Sequence, residues 1–396
     1  MRILSISAQK PNSTGSGVYL TETVRGFASL GHDQAVLAGI YEQDQVSLPD
    51  GVAFYPVYFD TPQLPFHIAG MSDEMPYPST VYSRMTPEMT GQFAESFSKA
   101  LMTAVAEFKP DVLLCHHLYL LTAIVRKLFP DLSVWGICHG TDLRQMAKNP
   151  LWRDEIREQI CGLDKVFCLH EEQRSQAIAC YNLDPCRVTV VGNGYNEQIF
   201  YDRGQRMPHA ERRLVFAGKI SEKKGVFSLL RALPLLGWDK DQFSLLMAGG
   251  WSNESQKQYV EKLIAESGYN VSLSGNLRQE QLAEEFNRGD IFVLPSFYDG
   301  LPLVLAESMA CGMQVVCSDL PGIRPWMDAH VPHHTIRFVK PPRMHDADVP
   351  DPATLPGFEQ ELAEAIREAA EHPYLQRPDL SLVSWPGVCR RILSAR

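Results

Sequence analysis

The sequence predicts an α/β chain made of two tandem halves, each with a mostly parallel sheet. Three observations predict it. Short β-branched or apolar runs alternate with longer segments of helical period along nearly the whole chain. The alternation breaks over residues 192–212, where Gly, polar and charged residues crowd together, and then begins again. A chain of 396 residues, 45% hydrophobic and 21% charged, has material for two separate cores. That composition excludes a disordered chain, a collagen-like repeat and a coiled coil.

The elements follow in order. Ile3-Leu4-Ser5-Ile6-Ser7 reads as a first strand, and the Gly-, Ser-, Asn- and Pro-rich stretch Pro11–Gly17 as a loop before a helix over Val18–Leu30. A strand follows at Gln34–Ile40, while residues 56–90, rich in Pro, Met and Tyr, keep no clean period. A helix from about Gln92 to Phe108 then leads into the strand–helix alternation 111–116, 120–129, 133–138, 154–161, 165–169, 172–181 and 187–191. The second series has strands at 213–217, 243–248, 271–274, 290–294, 314–318 and 335–339. Its helices fall at 226–236, 255–267, 279–287, 303–310 and 358–371, the last with the charge pattern of a solvated amphipathic surface. Residues 341–357 carry five prolines and read as a loop, and 382–393 as a closing helix. These are two Rossmann-like halves: residues 1–200, residues 201–380 and a tail at 381–396. Each presents a ligand-facing edge at the carboxyl ends of its strands, and the expectation is that the two edges face each other across a deep cleft.

Net charge is −10 and no basic stripe appears, which argues against a nucleic-acid partner. Any anion must be met by a few placed lysines and backbone amides. The nine cysteines are scattered, odd in number and without a CxxC pair, so a reducing, cytoplasmic setting is expected. Polar residues interrupt the N-terminus by Gln9, no uninterrupted apolar stretch is long enough to span a bilayer, and no basic amphipathic helix stands out.

Four motifs can carry chemistry. Gly15-Ser16-Gly17, between the first strand and first helix, suits close approach of backbone amides to an anion, or it is a plain turn; the third glycine of a dinucleotide fingerprint is absent. Gly218-Lys219-Ile220-Ser221-Glu222-Lys223-Lys224-Gly225 follows a strand and puts three lysines before a helix, as a diphosphate cradle or a solvated turn. In Ser296–Glu307, Gly300 gives a turn, Pro302 suits a first helical turn, and amides from Gly300 to Leu303 face an anion. Glu307 falls among apolar residues, where a carboxylate needs a partner such as a ribose hydroxyl or a salt-bridging side chain. His139-Gly140-Thr141-Asp142 ends one strand, and His116 and His117 end its neighbour. Their spacing fits no zinc pattern, so a hydrogen-bonding His139 and packed His116 and His117 are the simpler reading. Gly249-Gly250 and Ser274-Gly275-Asn276 mark further strand-end loops, and the segment 71–89 reads as a packed irregular loop. No Walker A, Gly-x-Ser-x-Gly or His-Glu-x-x-His occurs.

Taken in order, these motifs resemble the retaining family 4 glycosyltransferases of the GT-B fold over nearly the whole chain. The set comprises the early Gly loop, the strand-end His139, the turn Val191-Gly192-Asn193-Gly194-Tyr195 and the Gly-Lys…Lys-Gly loop. The Glu-x7-Glu element, here Asp299 to Glu307, and the tail at Ser384-Trp385 complete it. The resemblance implies two Rossmann-like domains with a C-terminal helix that crosses back to the first. It implies a nucleoside-diphosphate sugar donor, UDP first among the bases, an acceptor that stays open (glycan, lipid carrier, protein or small molecule), and no metal or other cofactor. Lys219 and Lys224 would hold the diphosphate and Glu307 the ribose. Asp299 would touch the sugar hydroxyls. Gly218, Gly300, Leu301 and Pro302 would line the donor, and His139 would lie at the sugar. Gly15 and Gly17 would approach phosphate or acceptor.

Two positions depart from the pattern. Lys219 stands where the family usually has Arg, a point charge in place of a bidentate fork, and Asp299 is one methylene shorter than the usual Glu. Other readings remain: a GT-B epimerase or phosphorylase, a weakly catalytic nucleotide-sugar-binding protein, or a two-lobed small-ligand binding protein.

Overall fold

The computed structural model describes residues 1–72, 75–204, 211–251, 253–346 and 349–395. Residues 73–74 of the irregular segment, 205–210 of the break in the alternation and 347–348 of the Pro-rich stretch lie outside them. The chain forms two compact units, Met1–Asn193 with Trp385–Arg396, and Gly194–Ser384.

In the first unit the strands are β1 (Arg2–Ser7), β2 (Asp33–Ile40), β3 (Ala53–Tyr58), a small pair β4 (Ala69–Gly70) and β5 (Thr80–Val81), then β6 (Val112–His116), β7 (Ser133–Ile137), β8 (Lys165–Cys168) and β9 (Val188–Val190). The helices are α1 (Gly15–Ser29), α2 (Pro87–Phe108), α3 (Leu120–Leu128), α4 (Thr141–Lys148), α5 (Arg153–Cys161) and α6 (Glu171–Tyr181). Seven strands make one parallel sheet in the order β3-β2-β1-β6-β7-β8-β9. Every residue of β6 is buried, which is why its sequence is a continuous apolar run and not an alternating one. The strand order reverses between β1 and β6, which opens a crevice at their carboxyl ends.

Local chemistry explains where the elements differ from expectation. Thr14 is extended and its hydroxyl accepts from the Gly17 amide at 3.2 Å, so α1 starts at Gly15 and Gly15-Ser16-Gly17 is its first turn, not the loop before it. Thr86 caps α2 and Pro87 takes its first position, five residues ahead of where the apolar period begins. β3 was hidden by Pro56, which an edge strand tolerates. α4 follows its N-cap Gly140 (φ 84°) and is only eight residues long, with Leu143, Met146 and Ala147 its only apolar residues.

The second unit repeats the plan. Its strands are β10 (Arg212–Ala217), β11 (Phe243–Ala248), β12 (Asn270–Gly275), β13 (Ile291–Leu294), β14 (Gln314–Ser318) and β15 (Ile336–Val339), all parallel, in the order β12-β11-β10-β13-β14-β15. Here the reversal lies between β10 and β13. The helices are α7 (Val226–Ala232), α8 (Glu254–Ser267), α9 (Gln279–Arg288), α10 (Leu303–Ala310), α11 (Ile323–His330) and α12 (Leu355–Glu371). The helix expected over 226–236 ends at Ala232 and tightens into a 3₁₀ turn, Leu233–Leu236, where Pro234 has no amide to continue it. α11, with Pro325 in its first turn, was not foreseen. The Pro-rich stretch holds a small antiparallel pair, β16 (Met344–Asp346) and β17 (Val349–Pro350), before α12 begins.

The tail forms α13 (Trp385–Ser394), three residues later than the sequence suggests, and belongs to the first unit. A Cβ on Gly26 of α1 would stand 2.6 Å from Cys389 Sγ, so the absent side chain lets the two helices touch. Arg391 donates to the Val191 carbonyl at 2.7 and 3.0 Å, and the Trp385 ring meets the Tyr19 ring edge-on at 4.9 Å. No helix among the described residues is long and apolar enough to cross a membrane.

Candidate functional site

In the second unit, the loops that leave β10 and β13 stand side by side at the reversal of strand order. Backbone contacts with no room for side chains bind the β10 loop to the end of β11 and to the β13 loop. The Gly218 amide donates to Ala248 at 2.9 Å, and a Cβ on Gly249 (φ 150°) would lie 1.8 Å from the Gly218 carbonyl oxygen. Gly225 (φ 68°) lies against Pro295, whose carbonyl oxygen would be 1.9 Å from an added Cβ. The Phe297 amide donates to the Lys223 carbonyl at 2.9 Å. These contacts deliver Lys224 to Asp299, with Nζ 2.6 Å from Oδ2 and both side chains about one-fifth exposed. Gly225→Ala is therefore expected to destabilise this unit by at least about 1–2 kcal/mol from its left-handed φ alone, before the clash with Pro295 is counted. Urea denaturation would show it, and an unchanged midpoint would refute the tight approach.

Asp299 also accepts from the Gly300 amide at 3.1 Å, so that amide faces the carboxylate and is not open to a ligand. Pro302 stands one place before α10 as its extended N-cap, and not inside the first turn; among the described residues no side chain caps the helix there. Of the first-turn amides that follow it, that of Leu305 donates to the Pro302 carbonyl at 3.3 Å. Leu301 is buried, so only its main chain can meet a ligand. Glu307, one turn further along α10, is 5% exposed among Leu305, Ala306, Ser308 and Met309. Lys219 is exposed at the head of the β10 loop.

In the first unit the strand ends of β6 and β7 gather three imidazoles. His116 Nδ1 lies 3.2 Å from His139 Nε2, with the rings nearly parallel at 16°, and the His117 ring is 4.6 Å from that of His139. Tyr19 packs edge-on against His139 at 5.2 Å, and its hydroxyl donates to the Gly192 carbonyl at 3.2 Å. The fully buried carboxylate of Asp142 accepts from the amides of Leu118 (2.8 Å) and His139 (3.2 Å) and so ties the two strand ends together. Burial, with smaller contributions from neighbouring imidazoles, holds His139 well below the usual histidine range. Burial lowers His116 to about 3 and His117 to about 4. No group of three or more His, Cys, Asp or Glu among the described residues is arranged to hold a metal ion.

The sequence-predicted residues therefore fall into two groups. Gly218, Lys219, Lys224, Asp299, Gly300, Leu301, Pro302 and Glu307 share the loops and helix at one strand reversal, in the second unit. His139 lies at the corresponding edge of the first unit's sheet. There Gly17 lies in the first turn of α1, its amide taken by Thr14 and its missing Cβ leaving room for the Lys10 carbonyl, 2.5 Å away; Gly15 has open space. Sequence reasoning did not anticipate the Lys224–Asp299 pair, the His116–His139 bond or the part of Tyr19.

Comparison with known proteins agrees with this architecture. Residues 13–198 match the family model described as Glycosyltransferase Family 4, and residues 197–347 the one described as Glycosyl transferases group 1. A phosphatidylinositol N-acetylglucosaminyltransferase gpi3 subunit of Schizosaccharomyces pombe is 24% identical over 231 residues, 58% of this chain and 48% of that protein. A D-inositol 3-phosphate glycosyltransferase of Thermobispora bispora is 27% identical over 342 residues, 78% of this chain and 75% of that protein. The chain thus spans about half of the first relative and three quarters of the second. Among solved structures, sucrose-phosphate synthase from Thermosynechococcus elongatus aligns with a TM-score of 0.66 at 17% identity, over 99% of this chain and 97% of that one. Anabaena HepE, crystallised with UDP and glucose, aligns with a TM-score of 0.61 at 14% identity, over 100% and 95%. At these identities the structural likeness concerns the fold.

Proposed function

This chain belongs to the family 4 glycosyltransferases of the GT-B fold, and we propose that it moves a sugar from a nucleoside diphosphate to an acceptor with retention of anomeric configuration. The observation that carries the proposal is the convergence at the β10/β13 reversal of Lys224, Asp299, the first-turn amides of α10 and the buried Glu307. Each has a task in that reaction. Breaking the bond from the anomeric carbon to phosphate leaves a diphosphate with new negative charge. Lys219, Lys224 and the α10 amides supply the positive charge and dipoles that favour it, and electrostatic stabilisation of that kind usually dominates such catalysis. These lysines take the place a metal would fill in this reading. Glu307, desolvated in α10, accepts from the two ribose hydroxyls. Asp299 accepts from a sugar hydroxyl. His139 contacts the transferred sugar, and the acceptor attacks from the face the leaving group vacates. UDP is the base of first choice, supported by Anabaena HepE, a fold neighbour crystallised with UDP and with UDP-glucose.

A thermal-shift series with UDP, GDP, ADP, CDP and TDP, with and without Mg²⁺, tests the donor site. A ligand of the native state at a hundredfold excess over Kd adds about 2.7 kcal/mol. The expected result is a metal-independent shift with UDP that Glu307→Ala abolishes. No shift with any nucleotide at millimolar concentration, in folded protein, would refute the donor site. Transfer or donor hydrolysis, followed by anomer-resolved NMR of the product, then separates a transferase from a mere binder.

A further inference from the structure

We propose that His116 is a positioning residue that holds His139 in the tautomer protonated on Nδ1, so that His139 serves as a hydrogen-bond donor and not as a base. The two rings share one hydrogen bond, His116 Nδ1 to His139 Nε2 at 3.2 Å, and one proton must lie in it. Which ring supplies the proton follows from the other nitrogen of His116. That Nε2 is buried, in a residue 3% exposed, and has no hydrogen-bond partner among the described residues. Were His139 the donor, the neutral His116 would carry its proton on Nε2, and a buried N–H would go unmet. Were His116 the donor, Nε2 would be a bare lone pair. An orphaned buried donor is the rarer and costlier of the two defects. The proton therefore belongs to His116 Nδ1. His139 accepts it on Nε2 and, being neutral, carries its own proton on Nδ1.

The surroundings hold both rings in place. Tyr19 packs edge-on against each, at 6.1 Å from His116 and 5.2 Å from His139, and the Asp142 carboxylate fixes the His139 backbone through its amide. Among the described residues no hydrogen bond engages His139 Nδ1, so this N–H is the ring's one polar group left for a ligand oxygen. The chemical consequence rests on the transferase reading. A ring that donates to a sugar or acceptor hydroxyl orients that oxygen but takes no proton from it, which suits an attack in which the departing phosphate oxygen accepts the proton of the acceptor hydroxyl.

Long-range ¹H–¹⁵N spectra of the full chain labelled in its histidines read the ring protons directly, with the His139 signals assigned by their loss in His139→Gln. The wild type is expected to show His139 protonated on Nδ1 and bare on Nε2. In His116→Leu the ring is expected to shift toward the Nε2–H tautomer that free imidazole side chains prefer. In His116→Asn, whose side-chain amide can donate from the same position, it is expected to stay as in the wild type. A His139 protonated on Nε2 in the wild-type spectrum overturns the proposal without any variant, as does an unchanged ring in folded His116→Leu. With transfer as the readout, His116→Leu is expected to lower kcat by roughly tenfold to a hundredfold with the donor KM little changed, and His116→Asn to restore it. The spectrum does not depend on activity, so a failure of the transferase reading leaves the tautomer result to stand or fall alone.

Discussion

Replacing Lys224 by Ala is expected to lower kcat/KM for sugar transfer by roughly 10²–10³-fold, the range seen when one preorganised group at a developing charge is removed. Its pairing adds a sign that a simple charge deletion lacks. With Nζ 2.6 Å from Asp299 Oδ2, the lysine shields a carboxylate that stands beside the expected diphosphate. Lys224→Ala therefore removes an attraction and exposes a repulsion. Asp299→Asn in that background takes the repulsion away, so Lys224→Ala/Asp299→Asn is expected to bind UDP more tightly than Lys224→Ala. Asp299→Asn alone frees the ammonium for phosphate, so UDP binding is expected to tighten while turnover falls because the sugar loses its acceptor carboxylate. Calorimetry with UDP and steady-state kinetics on the four proteins close a double-mutant cycle. Additive effects on UDP affinity, within about 0.5 kcal/mol, would show that the pair does not act as a unit.

That pair shows where sequence reasoning stops. Lys224 and Asp299 are 75 residues apart, and each was legible as a motif residue. Their contact depends on β10 and β13 being neighbours, which the alternation of elements leaves unspecified. It depends equally on Gly225 reaching the Pro295 carbonyl, a distance no local pattern encodes. The buried strands were legible because both of their faces are covered and their apolar runs are continuous. β3 was not, since four of its six residues are only partly buried and Pro56 interrupts it. α4 is short and polar, and it buries Asp142, whose reason for burial (two backbone amides on different strand ends) exists only in the fold. Burial of Glu307 could be read from its apolar neighbours in the chain. The same reasoning placed Gly15 and Gly17 in a loop, because glycine reads as a breaker and the Thr14 cap that makes them a first helical turn is a single side chain.

The stability of the first unit is expected to fall steeply as pH drops below about 6.5, because three neutral imidazoles must stay neutral while it is folded. Burial depresses His116 to about 3 and His117 to about 4, and holds His139 well below its ordinary value. In the unfolded chain each returns to about 6.5. A group whose folded pKa is depressed contributes stability that is fully present above its unfolded pKa and is lost as pH falls toward the folded value. Between pH 6.5 and about 4.5 the unfolded state therefore binds up to three more protons than the folded one. Each proton is worth about 1.4 kcal/mol per pH unit, so the limiting slope is about 4 kcal/mol per unit. Urea unfolding at pH 7.5, 6.5 and 5.5 measures that slope, and His116→Asn, which cannot titrate there, is expected to reduce it by about a third. A wild-type slope near zero across pH 6.5–5.5 would mean that the imidazoles protonate in place, and that burial does not keep the rings around His139 neutral. The same neutrality makes the proposed donor tautomer available: a protonated pair would hold a proton on every ring nitrogen, and the His116–His139 bond could not form.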